Sequence, residues 1–80
     1  MYKVYFVELN EVSGTENETY LGLVNSEYIN DVYMFIADYL HKNGSTNCFL
    51  IPEIDAENVD IIYVEILTLP HYFVVRRLLN

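Results

Sequence analysis

The stretch from Asn25 to Gly44 most constrains the fold, because it contains the start, the apolar stripe and the end of one helix. Asn25 and Ser26 are both good N-cap residues, since a short side-chain oxygen can accept a hydrogen bond from a free backbone N–H. At the other end, Asn43-Gly44 supplies a residue able to adopt the left-handed conformation that ends many helices. We therefore predict one helix over residues 25–44.

The predicted helix carries one apolar stripe at helical spacing, which we expect to be buried. Its members are Ile29, Val32, Tyr33, Ile36 and Leu40. A second, aromatic line flanks the stripe and consists of Tyr28, Phe35 and Tyr39. These three rings either widen the contact with the core or face outward as an interface, and the sequence leaves both readings open.

Two strands are predicted before the helix. Tyr2 to Leu9 is largely apolar on both alternating faces, which is typical of a central strand. Thr19 to Val24 forms the second strand, in which Gly22 weakens the strand or marks a bulge. Residues 10–18 are rich in turn-forming residues and acids, with the predicted tip at Ser13-Gly14. The pattern predicts a β-hairpin with a long acidic loop.

Two or three strands are predicted after the helix. Cys48 to Ile51 is a short strand that Pro52 should end, because proline lacks a backbone N–H. Glu53 to Asp60 is predicted to be an acidic loop. Ile61 to Leu69 is rich in β-branched residues and is the strongest strand prediction. Residues 72–79 form either a last strand or a short helical tail, and the sequence Tyr-Phe-Val-Val favours the strand. The residues of the strongest strand expected to face the helix are Ile62, Val64 and Ile66.

These elements predict one α+β domain over residues 1–80. The domain has a mainly antiparallel sheet of four to five strands in ββαββ order, with one helix packed on one face. Eighty residues suit a single domain, and the 52% hydrophobic content is ample for a core. The opposite sheet face would be apolar and uncovered, which indicates a partner. We expect a homodimer through this face, or through edge pairing of residues 72–75. The predicted interface residues are Tyr63, Leu67, Tyr72 and Phe73.

The charge of the chain is strongly negative and unevenly distributed. Twelve acids stand against four bases, which gives a net charge of −8. All twelve acids lie in residues 1–65, whereas residues 66–80 contain Arg76 and Arg77 as their charged residues. Such a field repels nucleic acids and membrane surfaces and attracts basic proteins. We therefore expect no direct binding of nucleic acid. We also expect no membrane span, since the chain has no run of about 18 apolar residues.

The sequence predicts a reducing location. Cys48 is the single cysteine, so no disulfide can form within the chain. The first residues read as a strand of the folded domain and lack the small-residue cleavage site of a signal peptide. We therefore expect a cytoplasmic protein.

Motifs for catalysis or metal binding are weak. Glu53-x-Asp55-x-Glu57 has the spacing of the start of a calcium loop, but its sixth position is Asn58 instead of glycine, and its twelfth is Val64 instead of glutamate. Neither histidine has a second histidine or a cysteine nearby at zinc-site spacing. The sequence thus predicts no cofactor, no metal and no enzymatic activity.

Two classes of function fit this pattern. The first is a small acidic inhibitor whose carboxylates occupy the basic, nucleic-acid-binding surface of a partner protein. Phage-encoded DNA mimics, anti-CRISPR-type inhibitors and nuclease inhibitors act in this way, and the comparison rests on size and charge alone. A phage origin would place the protein in the host cytoplasm. The predicted partner-binding acids are Glu53, Asp55, Glu57 and Asp60 in the connection before the strongest strand, together with Asp31 and Asp38 on the helix. The first four are expected to neighbour either the acidic hairpin loop or the two helix acids. The alternative is a homo-oligomeric interaction or scaffold module whose acids serve only solubility.

Overall fold

The computed structural model describes residues 1–44, 50–54, 60–66 and 71–78, with the backbone alone for residues 50–54. One helix and five strands occur in these ranges, which confirms the predicted α+β class and supplies the fifth strand. The elements are β1 (Tyr2–Asn10), β2 (Thr15–Val24), α1 (Ile29–Lys42), β3 (Leu50–Ile54), β4 (Ile61–Ile66) and β5 (Tyr72–Arg77).

The strands form one antiparallel sheet in the order β2-β1-β5-β4-β3. β1 is internal, as its two apolar faces predicted. The C-terminal segment is a strand and not a helical tail, and it is also internal, between β1 and β4. The predicted edge pairing of residues 72–75 is therefore wrong, because both sides of β5 are already hydrogen-bonded. The central position follows from the run Phe73–Val75, which is buried on both faces of the sheet.

Helix α1 connects the two edge strands by crossing one face of the sheet. The predicted apolar stripe is confirmed: Val32, Ile36 and Leu40 are buried, and Ile29 and Tyr33 pack half-buried against the same core. The predicted inward side of β4 is also confirmed. The buried strand residues in this core are Tyr2, Val4, Ile62, Val64, Ile66, Phe73 and Val75.

The helix begins at Ile29, four residues later than its predicted start at Asn25. Ser26 does not cap it. The Ser26 hydroxyl oxygen instead accepts a hydrogen bond from the backbone N–H of Tyr28 at 3.1 Å, and the same hydroxyl donates to the carboxylate of Asp31. A serine bonded to the backbone two residues ahead forms a local turn, which holds Tyr28 in an extended conformation as the N-cap residue.

The helix ends as predicted. Gly44 has a φ of +83° and its N–H donates to the carbonyl oxygen of His41 at 3.1 Å.

The three rings of the flanking aromatic line differ in position: two belong to the core and one faces outward. Phe35 and Tyr39 pack against the core, and the Tyr39 ring meets Phe73 edge-on at 6.0 Å between centroids. Tyr28 is 72% exposed and belongs to the surface.

The predicted long acidic loop before β2 is wrong, because the hairpin strands extend to Asn10 and Thr15 and leave a turn of four residues. The Asn10 side chain closes this turn by accepting hydrogen bonds from the N–H groups of Val12 and Ser13. Gly14 completes the turn with a φ of +69°. Further along the hairpin, a register irregularity between Val4 and Tyr5 lies opposite Gly22, where a bulge was predicted.

Strand β3 runs through Pro52, so the prediction that proline ends this strand is wrong. β3 is an edge strand that pairs with β4 alone, and proline is tolerated where no second neighbour needs its missing N–H. Glu53 accordingly lies in a strand and not in the predicted acidic loop. Residues 45–49, 55–59 and 67–70 lie outside the described residues, and with them the predictions for Cys48 and Leu67.

Candidate protein-binding surfaces

Helix α1 presents an acidic line on the side away from the sheet. Asp31, Met34 and Asp38 are three or four residues apart, so they lie on one side of the helix, opposite the buried Ile36. We call these three residues the outer helix face. Asp31 and Asp38 are both exposed, and Met34 is 69% exposed. Two of the six predicted partner-binding acids therefore lie together on a regular element.

The negative charges of the outer helix face are only weakly neutralised by other described residues and are therefore open to a basic partner. Among the exposed carboxylates in the described part of the chain, Asp38 alone has a lysine or arginine within ion-pair distance, with Lys42 Nζ 2.9 Å from its Oδ2. The two side chains of this pair are 62% and 72% exposed, so solvent screens their attraction. Among the described residues, the Asp31 carboxylate accepts a hydrogen bond only from the neutral hydroxyl of Ser26. A lysine or arginine of a partner protein can therefore replace Lys42 beside the Asp38 carboxylate at little cost.

The other four predicted acids are distributed differently. Asp60 is half-buried directly before β4, and its carbonyl oxygen accepts a hydrogen bond from the N–H of Arg77 at 2.8 Å. Glu53 lies in β3 opposite Tyr63 in register. Asp55 and Glu57 are outside the described residues. Asp60 therefore contributes to the junction of two strands as well as to the charge.

Asp60 and the hairpin turn lie at opposite ends of the sheet. The register pairs Tyr2 and Ile61 with the end of β5, so β4 begins beside the start of β1 and far from residues 11–14. The acids from Glu53 to Asp60 are predicted to neighbour either the hairpin loop or the helix acids, and the first alternative is therefore wrong for Asp60. The helix begins at the same end as β4, since the Tyr2 hydroxyl lies 3.5 Å from the carbonyl oxygen of Glu27.

Among the described residues, no helix or strand covers the sheet face opposite the helix, in keeping with the predicted element order. The central row of this face follows from the strand register: Tyr20, Tyr5, Val74 and Tyr63 lie on four strands, and Glu53 has the next register position on the edge strand β3. We call this side the open sheet face. Val74 is 5% exposed, and its register partners on the two neighbouring strands are Tyr5 and Tyr63. The rings of Tyr5 and Tyr20 are 5.4 Å apart between centroids.

The open sheet face has opposite charges at its two ends. Lys3 and Arg76 are cross-strand partners on one side of the tyrosine row. On the other side, Glu18 pairs with Val7 and Glu65 pairs with Tyr72. Arg76, Glu18 and Glu65 are all exposed, and the Arg76 guanidinium lies 5.9 Å from the Tyr5 ring centroid. The face is thus basic at one end, aromatic in the middle and acidic at the other end.

Two of the four predicted interface residues lie on this open sheet face. Tyr63 and Tyr72 are half-buried neighbours with ring centroids 6.1 Å apart. Phe73 does not belong to it, and its prediction is wrong: the side chain is fully buried against the helix. The reason is the alternation of a strand, which points Phe73 to the face opposite Tyr72.

Tyr72 also links the hairpin to the centre of the sheet. Its hydroxyl donates a hydrogen bond to Glu16 Oε2 at 3.2 Å. Burial and the neighbouring Glu16 carboxylate raise the pKa of the Tyr72 phenol above its usual 10.0, since both favour the neutral form. Glu16 therefore holds Tyr72 in place at the acidic end of the open sheet face.

The described residues show little that resembles a catalytic or metal centre. No group of three or more histidine, cysteine, aspartate or glutamate side chains among them could hold a metal ion. His71 is a structural residue: its Nδ1 accepts a hydrogen bond from the Leu9 N–H at 3.1 Å and its ring contacts Phe6 edge-on. No helix in the described part of the chain is both long and apolar enough to cross a membrane.

Comparison with known proteins adds no relative, because no family model, curated protein or solved structure matches the chain.

Sequence reasoning missed several residues of these surfaces. Met34 could have been found from its spacing, since it lies half a helical turn from the buried stripe. Lys3 and Arg76 come from opposite ends of the chain and meet only through the pairing of β1 with β5. Tyr20 joins the tyrosine row because the bulge near Gly22 sets its register, and no residue pattern in β2 indicates which of its side chains lie on which face.

Proposed function

We propose that this chain is a small acidic inhibitor that binds the basic, nucleic-acid-binding surface of another protein. The outer helix face is the contact surface, with Asp31 and Asp38 in the positions of phosphates. The observation that carries this proposal is the pair of exposed carboxylates on one rigid helix, separated by an exposed methionine. The other acids of the proposal are Glu53, Asp55, Glu57 and Asp60, which add to the negative charge of the chain. Asp60 lies at the end of the sheet where the helix begins.

The spacing of the two helical carboxylates supports the proposal. Asp31 and Asp38 are seven residues apart, which is about 10.5 Å along a helix axis. Phosphates on one strand of duplex DNA are about 3.4 Å apart along the axis, so three base-pair steps span about 10 Å. The spacing of Asp31 and Asp38 is therefore comparable to the axial distance between phosphates three base-pair steps apart on one strand.

The exposed apolar groups near these acids support a protein partner and argue against a role in solubility alone. Met34 is 69% exposed between the two aspartates, and Tyr28 is 72% exposed at the start of the helix. Tyrosine and methionine are enriched at protein interfaces, where they supply contact area that carboxylates lack. A surface selected for solubility has no need of either residue at these positions.

The expected compartment is the cytoplasm, of the host cell if a phage encodes the chain. The single Cys48 means that no disulfide within the chain stabilises the fold, which suits a reducing compartment where nucleic-acid-binding proteins are abundant.

A capture experiment tests the proposal. The protein is immobilised and incubated with an extract of its source cells from which nucleic acid has been removed by nuclease. Bound proteins are then eluted with short duplex DNA or RNA at constant ionic strength and identified by mass spectrometry. We expect basic nucleic-acid-binding proteins to be retained and then released by the nucleic acid, because both ligands compete for one surface.

A variant with Asp31→Lys and Asp38→Lys provides the control for the capture experiment. The variant should retain much less of the same proteins, and higher salt should have a similar effect on the wild type. Retained proteins that nucleic acid fails to release, or equal retention by the variant, would show that the protein does not act as a phosphate mimic.

A further inference from the structure

The open sheet face, which is distinct from the proposed inhibitory surface on the helix, carries its own pattern of charge. Three tyrosines and Val74 form its central row, with Lys3 and Arg76 on one side and Glu18 and Glu65 on the other. Exposed apolar faces of this kind mark interaction sites in soluble proteins, and no described helix or strand covers this one. Its charge pattern indicates which partner it fits.

We propose that the occupant of the open sheet face is a second copy of this chain, related by a two-fold axis along the tyrosine row. Rotation about that axis places each strand over the same strand of the second copy, and the two strands run in opposite directions. The basic end of one copy then lies over the acidic end of the other. A two-fold interface must be complementary to itself, and opposite charges on the two sides of the axis satisfy this condition.

The register predicts which side chains meet across the interface. Rotation places Arg76 of one copy over the row that contains Tyr72 and Glu65 of the second copy, and Lys3 over the row that contains Val7 and Glu18. Neighbouring strands are about 4.8 Å apart, and lysine and arginine are long enough to cover such an offset. Each of the two contacts occurs twice by symmetry. Tyr5 of each copy lies close to the axis, where aromatic side chains contribute most to an interface.

Other arrangements of two copies are less favourable. A two-fold axis parallel to the strands would place Lys3 and Arg76 of both copies together, and like charges across an interface are strongly unfavourable. Pairing through the hairpin edge would use β2, which is exposed along most of its length and lined with acids from Glu16 to Glu18. The charge pattern of the open sheet face therefore favours one orientation of the two copies, with the two-fold axis along the tyrosine row.

The extent of the face predicts the strength of the dimer. Five strands about 4.8 Å apart and about six residues long cover roughly 20 Å by 20 Å. Two such faces cover about 800 Å² in total, which is below the range of stable protein interfaces and within that of weak, transient ones. We therefore expect a dimer that forms at micromolar concentrations and dissociates on dilution.

Sedimentation equilibrium over a range of concentrations tests this proposal with charge-reversed variants. Arg76→Glu and Glu65→Arg should each weaken dimerisation by about tenfold or more, because each places like charges across the axis. The double variant, with both substitutions, should recover dimerisation. Lys42→Glu makes the same charge change as Arg76→Glu on the exposed end of the helix and should leave the dimer unchanged. Thermal unfolding confirms that each variant is folded.

Three results would overturn the proposal. The first is a wild-type monomer of 9.4 kDa at high micromolar concentration. The second is a dimer that Arg76→Glu and Glu65→Arg affect no more than Lys42→Glu does. The third is a dimer weakened by both single reversals and not recovered in the double variant, since this would exclude pairing across the two-fold axis. The proposed inhibitory role does not depend on any of these outcomes, because the outer helix face lies on the other side of the molecule.

Discussion

At the scale of single residues, position on the helix decides whether an apolar side chain stabilises the fold or faces a partner. Ile36 is fully buried between the helix and the sheet, whereas Met34 is 69% exposed two residues earlier. Both residues are large and apolar, and they differ mainly in the side of the helix on which they lie. Substitution by alanine separates the two roles.

We predict that Ile36→Ala destabilises the protein by about 2–5 kcal/mol, because it removes buried methyl and methylene groups and leaves a cavity. Met34→Ala should change the free energy of unfolding by less than about 0.5 kcal/mol, since the side chain is largely in water. Urea denaturation followed by circular dichroism measures both. Equal effects of the two substitutions would contradict the assignment of the buried stripe.

At the scale of elements, the sequence defines the helix and β4 well and the arrangement of the strands poorly. The stripe through Val32 and Ile36 has a period that only a helix satisfies, so it could be predicted. The internal position of β5 depends on pairing with β1, which starts at the other end of the chain. No local pattern encodes such a contact. The outer helix face could be predicted, because it is the side of the helix opposite the apolar stripe. The basic and acidic ends of the open sheet face could not be predicted, because they depend on which strands pair.

The hydrogen bond from Tyr72 to Glu16 connects β5 with the hairpin and gives a prediction for alkaline pH. Because the pKa of Tyr72 is raised, the folded state binds the phenol proton more tightly than the unfolded state. This contribution to stability is fully present below about pH 10 and is lost as the pH rises through the folded-state pKa. The free energy of unfolding should therefore decrease less steeply above about pH 10 in Tyr72→Phe than in the wild type.

Chemical denaturation at a series of alkaline pH values measures this difference. Glu16→Gln removes the neighbouring charge and keeps a hydrogen-bond acceptor, so it should give an intermediate slope. Identical pH dependence in the wild type and Tyr72→Phe would show that the tyrosine does not contribute in this way.

At the scale of the whole molecule, the helix and the open sheet face give the chain two separate surfaces. The helix covers one face of the sheet and carries the carboxylates outward, while the tyrosine row lies on the other face. Two copies joined through their open sheet faces would present two outer helix faces on opposite sides. An inhibitor of this form could bind two partner molecules, or two sites on a symmetric partner, and gain affinity from both.

The position of the acids matters more than their total charge if the protein imitates phosphates. Two double variants separate these effects, since each changes the net charge from −8 to −4. One reverses Asp31 and Asp38 on the outer helix face, and the other reverses Glu8 and Glu11 near the hairpin turn, where both side chains are exposed.

Fluorescence anisotropy of labelled nucleic acid bound to a captured partner tests the central claim most directly. The wild type should displace the nucleic acid completely, and the variant with Glu8→Lys and Glu11→Lys should do so with only modestly weaker affinity. The variant with Asp31→Lys and Asp38→Lys should lose at least about tenfold in affinity, because the charges that meet the partner are reversed. If the wild type and the labelled nucleic acid bind the partner together, or if the two double variants compete equally well, the proposed inhibition is contradicted.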